Sequence, residues 1–158
     1  HGGLLDVLHR AADEPAPAPA AEASEAELKY ARSGMTEAAQ GLSAARLARR
    51  MGEHRDFLEP DLRLGELAER IGSTPHWLSQ YLNDALGMSF FDYVNGLRAQ
   101  EVQHLMRTPE HAGSTLLDLA HAAGFASKST FNSAFKKTTG LAPSAWRKLR
   151  AEASEPIG

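Results

Sequence analysis

The 158-residue sequence contains no cysteine. That excludes a disulfide framework, a thiolate nucleophile and a thiolate-bound zinc, and is compatible with a reducing cytoplasm, the expected location. No apolar run reaches the roughly 18 residues a membrane span requires, so a soluble chain is expected. Also missing are a Gly-rich phosphate loop, an HExxH pair, a GxSxG elbow and any nucleophile paired with a base, which leaves no enzymatic reading. Among the seven histidines, His104, His111 and His121 lack the three- or four-residue pairing that would put two ligands on one helix face, so neither a metal nor a cofactor is expected. A basic excess is absent too: 17 Lys and Arg face 20 Asp and Glu, a net charge of -3. Taken whole, that balance argues against the basic face of a nucleic-acid binder. The chain begins His1-Gly2-Gly3 without an initiator Met or signal-peptide core, and is expected to be a fragment or a processed form.

Composition divides what is there. Residues 11–26 hold three prolines and four acids but no Leu, Ile, Val or aromatic, too little apolar surface to offset backbone ordering. We read 1–35 as a flexible, acidic, Ala/Pro-rich linker. From Thr36 to Leu58 the pattern turns helical, with Leu42, Leu47, Met51 and Leu58 as apolar positions and Arg46, Arg49 and Arg50 as a basic cluster, until Pro60 ends it. The cluster reads most simply as a solvated face, with phosphate contact or a partner surface as the other reading. Residues 61–150 are densely patterned without strand-like alternation, and 151–158 form a tail. The fold class is therefore all-α.

The central feature is an internal repeat. Leu64, Leu67, Ala68 and Gly72 recur 52 residues later as Leu116, Leu119, Ala120 and Gly124. Leu78, Leu82, Gly87 and Tyr93 recur 53 residues later as Phe131, Phe135, Gly140 and Trp146. One inserted residue in the loop after the first glycine accounts for the change of offset, so the region holds two copies of one helical unit. Each copy reads as helix, glycine turn, helix and terminating glycine. Two helices crossing steeply through a short turn need a small residue where their backbones approach, Ala68 and Ala120, and one that tolerates positive φ, Gly72 and Gly124. This predicts two helix-turn-helix subdomains, at about 64–87 and 115–140, joined by a long linking helix over 89–107 and followed by a last helix over 143–150. Thr74-Pro75, Ser89 with Asp92, and Thr115 with Asp118 supply helix-start signals. In the linking helix, Phe90, Tyr93, Val94, Leu97, Val102, Leu105 and Met106 fall largely on one face. Its 19 residues would span about 28 Å, short of the ~34 to 36 Å between successive major grooves. Bent DNA or one weakly engaged unit is expected if both copies bind.

These residues resemble the DNA-binding domain of the AraC/XylS family of transcription regulators. Ala120, Gly124-Phe125, Ser129, Phe131, Phe135-Lys136, Gly140, Pro143 and Trp146-Arg147 stand at the spacings of that family's signature. Ala142 and Arg63 depart from the usual caps of the last and first helices. The resemblance implies double-stranded DNA and RNA polymerase as partners, an effector or sensor region outside these residues, and dimerisation through upstream parts. Residues 27–61, with Lys29-Tyr30-Ala31-Arg32-Ser33-Gly34 and the extra helix over 36–60, are similar to the stretch preceding this domain in members with a membrane-embedded sensor. That similarity implies the cytoplasmic output end of a larger receptor.

Readout residues follow from the helix faces. In copy one, Leu78, Tyr81, Leu82 and Ala85 are predicted inward, which leaves His76, Ser79, Gln80 and Asn83 outward near the start of a recognition helix. In copy two, Phe131 and Phe135 are predicted inward, leaving Lys128, Ser129, Thr130, Asn132 and Ser133, the positions the resemblance implies as groove-facing. Gln80 and Asn132 suit adenine, Lys128 suits guanine and the Thr130 methyl suits thymine. Lys136, Lys137 and Arg147 complete the expected DNA contacts, with Lys137 assigned to phosphate. Ser129 has a second reading as a local cap or backbone partner, and Trp77 is expected to pack against Tyr81 and neighbouring stems rather than insert into DNA. Arg98 has two readings, phosphate contact or an internal ion pair with Glu101 or a nearby acid. The competing function is a helix-turn-helix interaction module of a signalling receptor without direct DNA readout.

Charge by segment removes the initial objection. Residues 1–61 carry -4 and 151–158 carry -2, whereas 62–150 carry +3. Within the latter, 62–123 hold -3, and 124–150 hold six basic groups and no acid. The second copy is expected to supply most phosphate attraction and the first mainly selectivity, with the acidic linker opposing non-specific binding.

Overall fold

A computed structural model describes residues 36–154. The Ala/Pro-rich linker over 1–35 and the end of the tail lie outside the described residues. Within them the chain forms α1 (Glu37–Arg49), α2 (Leu64–Arg70), α3 (Pro75–Tyr81), α4 (Phe90–Arg107), α5 (Leu116–Ala122), α6 (Lys128–Thr139) and α7 (Pro143–Ser154), with no strand among the described residues. The fold is all-α, as the patterning predicts. Two compact units result. Among the described residues, one joins Arg63–Tyr81 to Thr36–Arg55; the other joins Asp56–Leu62 to Leu82–Ser154.

In the first unit, α1 starts at Thr36, whose Oγ1 accepts from the Ala39 amide at 3.1 Å. The helix buries Gly41, Ser43, Ala44 and Leu47, followed by Met51. Leu42, predicted among its apolar positions, is 51% exposed, because the buried face uses small residues on either side of it. The predicted single helix to Leu58 also breaks earlier. A π turn over Arg50–His54 ends at Arg55, which adopts a left-handed φ of 56°. A non-glycine residue enters that region at a cost and without a glycine to announce it. From α2 come buried Leu67 and Ala68, with Ile71 at its end; α3 contributes Trp77 and Leu78. The Trp77 ring stacks on Tyr81 with centroids 4.9 Å apart, the packing its spacing predicts. Burial pushes the Tyr81 phenol above its ordinary pKa. Arg46 and Arg49 are exposed, as a solvated face requires; Arg46 Nη1 also donates to the Ile71 carbonyl at 3.5 Å, and Arg49 pairs with Glu53 at the surface.

In the second unit, α4 begins at Ser89, whose Oγ accepts from the Asp92 amide. Its buried stripe is Val94, Asn95, Arg98, Ala99 and Val102, an i, i+1, i+4, i+5, i+8 pattern with two polar members. Arg98 therefore takes neither of its predicted roles. Its Nε donates to the Phe57 carbonyl at 2.7 Å, Nη2 to the Glu59 carbonyl at 2.7 Å and Nη1 to Asn95 Oδ1 at 3.1 Å. The reason is backbone satisfaction: the 3-10 turn Asp56–Leu58 brings carbonyls to α4 that need donors there. Burial lowers the pKa of the guanidinium, which nonetheless stays charged at neutral pH.

Against Ala99 and Val102 pack Leu119, Ala120, Ala123, Phe125, Phe131 and Phe135. The aromatic rings run in series, Phe125 to Phe131 at 5.3 Å, Phe131 to Phe135 at 5.8 Å and Phe135 to Trp146 at 5.7 Å. Such pairs add to area burial through edge-to-face contact. Trp146 carries Arg107 and Arg150 guanidinium groups at 6.0 and 5.3 Å from its ring centroid.

Candidate nucleic-acid interface

The duplication read from sequence extends to individual backbone bonds. At the end of α2, the Ser73 amide donates to the Ala68 carbonyl and the Gly72 amide to Glu69. At the end of α5, Phe125 donates to Ala120 and Gly124 to His121, the same pair 52 residues on. Both are Schellman turns, and both glycines have positive φ, 68° and 101°. The paired positions share environments. Leu67 and Leu119, Ala68 and Ala120, Leu78 and Phe131, and Leu82 and Phe135 are all buried, while Gly87 and Gly140 have φ of 65° and 84°.

Helix-start bonds locate the inserted residue. Thr74 Oγ1 accepts from the Trp77 amide and Ser127 Oγ from the Thr130 amide, each at 3.1 Å. These caps are 53 residues apart, whereas Ser73 and Phe125 are 52 apart, so the extra residue is Ala126. Ser127, not Ser129, caps the second recognition helix; its 53-residue offset from Thr74 is the signal that could have found it. Ser127→Ala is expected to cost about 1 kcal/mol of stability, measured by urea denaturation, whereas Ser129→Ala should cost under about 0.5 kcal/mol.

The recognition faces differ between copies. On α3, His76 and Ser79 are exposed. Gln80 is half-buried, and its Oε1 is buried without a hydrogen-bond partner. The helix then widens into a π turn over Leu82–Leu86, which leaves the α-helical register before Asn83. Asn83 is exposed, and so is Ala85, predicted inward; the altered register turns it out.

On α6, Lys128, Ser129, Asn132, Ser133, Lys136 and Lys137 are exposed and Thr130 is half-buried, its hydroxyl accepting from Ser127 at 2.9 Å. Two clefts flank this helix. Ser129, Thr130, Ser133 and Lys137 line one of about 360 Å³ with Phe91, Asp92 and Asn95 of α4. Lys128, Asn132 and Lys136 line another of about 460 Å³ with Leu116, Leu117 and Pro143. The predicted residues of copy two other than Arg147 thus all lie on α6, exposed except for Thr130. Two predicted cations have protein partners. Lys137 Nζ lies 3.0 Å from Asp92 Oδ2, and Arg147 Nη2 donates to the His111 and Ala112 carbonyls at 3.3 and 3.2 Å. Arg147 therefore ties α7 to the turn before α5. In the sequence Asp92 reads only as a helix-start residue, because its partner Lys137 lies 45 residues away.

A family profile described as "Helix-turn-helix domain" matches residues 67–149, more than half the chain and both turns. The chain belongs to the AraC-type helix-turn-helix family. It is a family of regulators rather than enzymes. An uncharacterized HTH-type transcriptional regulator of Staphylococcus aureus (strain COL) is 30% identical to this AraC-type chain over 104 residues, 63% of this chain and 14% of that protein. An HTH-type transcriptional regulator of Mycobacterium tuberculosis is 28% identical over 100 residues, 63% of this chain and 38% of that protein. The chain thus spans far less than two thirds of these relatives. Among solved structures, the C-terminal domain of AraT, a response regulator from Geobacillus stearothermophilus, superposes with a TM-score of 0.51 at 28% identity, covering 66% of this chain and 85% of that one. A protein of unknown function from Listeria innocua does so with a TM-score of 0.56 at 26% identity, covering 67% and 95%. No helix of the described residues is long and apolar enough to cross a membrane.

Proposed function

We propose that this AraC-type domain reads a specific double-stranded DNA sequence for a transcription regulator, binding as one chain with α3 and α6 in two adjacent major-groove segments. A DNA-binding regulator follows from the family and its named relatives. The finer reading rests on one observation, the recurrence of the helix, Schellman turn and capped helix within a single chain. The 18 residues of α4 amount to about 27 Å of helix, so a bend in the DNA belongs to the reading. Residues 61–150 are the DNA-binding part in this proposal. His76, Ser79, Gln80 and Asn83 serve the first segment, and Lys128, Ser129, Thr130, Asn132 and Ser133 the second, with Lys136, Lys137 and Arg147 near phosphate. RNA polymerase contact, dimerisation through upstream parts, a cytoplasmic location and a membrane-embedded sensor rest on the resemblance alone.

Selection of bound duplexes from random DNA tests the reading. Two preferred segments should emerge, and separating them by half a helical turn, about five base pairs, should reduce affinity to the non-specific level. Indifference to the insertion would reject two-segment recognition, and binding without salt dependence would favour a protein-docking role. Asn132→Ala should cost about 1 to 3 kcal/mol and relax preference at one base pair, whereas Lys136→Ala should weaken all sequences alike and reduce the salt slope by about 0.9. The reverse pattern in a selection experiment would overturn the assignment of roles.

A further inference from the structure

We propose that Asp92 is a built-in counter-ion to the DNA-binding face, holding Lys137 so that this cation reaches phosphate only after their pair opens. The inference rests on the DNA-binding reading above and deepens it. Residues 124–150 hold six basic groups and no acid. The linking helix brings one. Asp92 is the sole carboxylate among the residues lining the cleft beside Ser129 and Ser133, and its Oδ2 lies 3.0 Å from Lys137 Nζ.

The geometry makes the pair both stable in place and accessible. The Asp92 amide donates to Ser89 Oγ, which fixes the backbone in the first turn of α4. The side chains are 70% exposed for Lys137 and 44% for Asp92, so a phosphate can approach the ammonium. An exposed pair of this kind is weak enough to open, since water screens it. While closed, it removes one cation from the set that releases counter-ions on binding DNA. Lys137→Ala should then weaken binding less than an unpartnered lysine would.

Asp92→Asn isolates the effect, because it keeps the shape and the backbone cap and deletes only the charge. Affinity for a random-sequence duplex at low salt should rise about five-fold, the size of one exposed Coulomb pair. The log-log salt slope should steepen by up to about 0.9, the full value if the pair stays closed on duplex bound by the unsubstituted protein. In a Lys137→Gln background the same substitution should raise affinity by less than about two-fold and leave the slope unchanged. Circular dichroism would verify folding of each variant. An equal gain with and without Lys137 would show that Asp92 merely repels DNA, and would overturn the proposal, as would no gain at all. If the unsubstituted protein bound duplex without salt dependence, the DNA-binding reading would fall and the counter-ion role with it. A normal salt slope that Asp92→Asn fails to move would reject the counter-ion role alone.

Discussion

Gly124→Ala is expected to lose about 3 to 5 kcal/mol of unfolding free energy, among the largest losses a single methyl can cause. Two costs combine. Gly124 has a φ of 101°, where a side chain is strained by about 1 to 3 kcal/mol. A Cβ there would also stand 2.6 Å from the Phe57 carbonyl oxygen, 2.9 Å from that of Leu58 and 3.0 Å from Arg98 Nε. These atoms cannot step aside cheaply, because the Phe57 carbonyl is itself held by Arg98. The paired position gives the control. At Gly72, with φ of 68°, the new Cβ meets only the end of the Arg46 side chain, at 2.6 Å, and a guanidinium can swing away. Gly72→Ala should therefore cost about 1 to 2 kcal/mol, mostly backbone strain. Urea denaturation followed by circular dichroism compares them, and the packing argument fails if the two losses are equal.

Arg98→Met should be the second large loss, about 3 to 4 kcal/mol. Methionine fills similar space, so the cost comes from acceptors. The Phe57 and Glu59 carbonyls and Asn95 Oδ1 lose the donor that serves all three. Each buried acceptor left unpaired costs about 1 to 3 kcal/mol, reduced where water can reach it. Arg98→Lys separates hydrogen bonding from charge. A compact ammonium cannot span acceptors arranged for a planar fork, so lysine should recover less than half of the loss. Full recovery would mean that charge alone matters at this position. Because the Gly124 Cβ would press on Arg98 Nε, Gly124→Ala and Arg98→Met should combine to less than their sum, a coupling that a double-mutant cycle reads directly.

The same cluster marks where sequence patterning stops. Ala68 and Ala120, Gly72 and Gly124 are legible because local geometry demands those residue types, whatever surrounds them. So are Leu78 with Leu82 and Phe131 with Phe135, whose helical spacing fixes an inward face. Arg98 was not legible, since its partners lie 41 and 39 residues away and a buried arginine carries no periodic mark. Arg55 reverses the chain without glycine, and the π turn after Tyr81 exposes Ala85 against its apolar register. In the candidate interface, the outward set on α6 follows from helical spacing alone. The pairing of Lys137 with Asp92 and the tether from Arg147 to His111 needed the fold, because charge patterns along a chain do not identify partners across it.

Ala126 makes the two turns unequal, four residues from Gly124 to Ser127 against three from Gly72 to Thr74. The two copies are therefore unequal, and the basic excess belongs to the second, +6 over 124–150 against -3 over 62–123. If α3 and α6 each meet one DNA segment, as proposed, the site they read has a direction. Flipping that site end for end would exchange which segment meets the basic copy, so orientation as well as sequence would become information the promoter can carry.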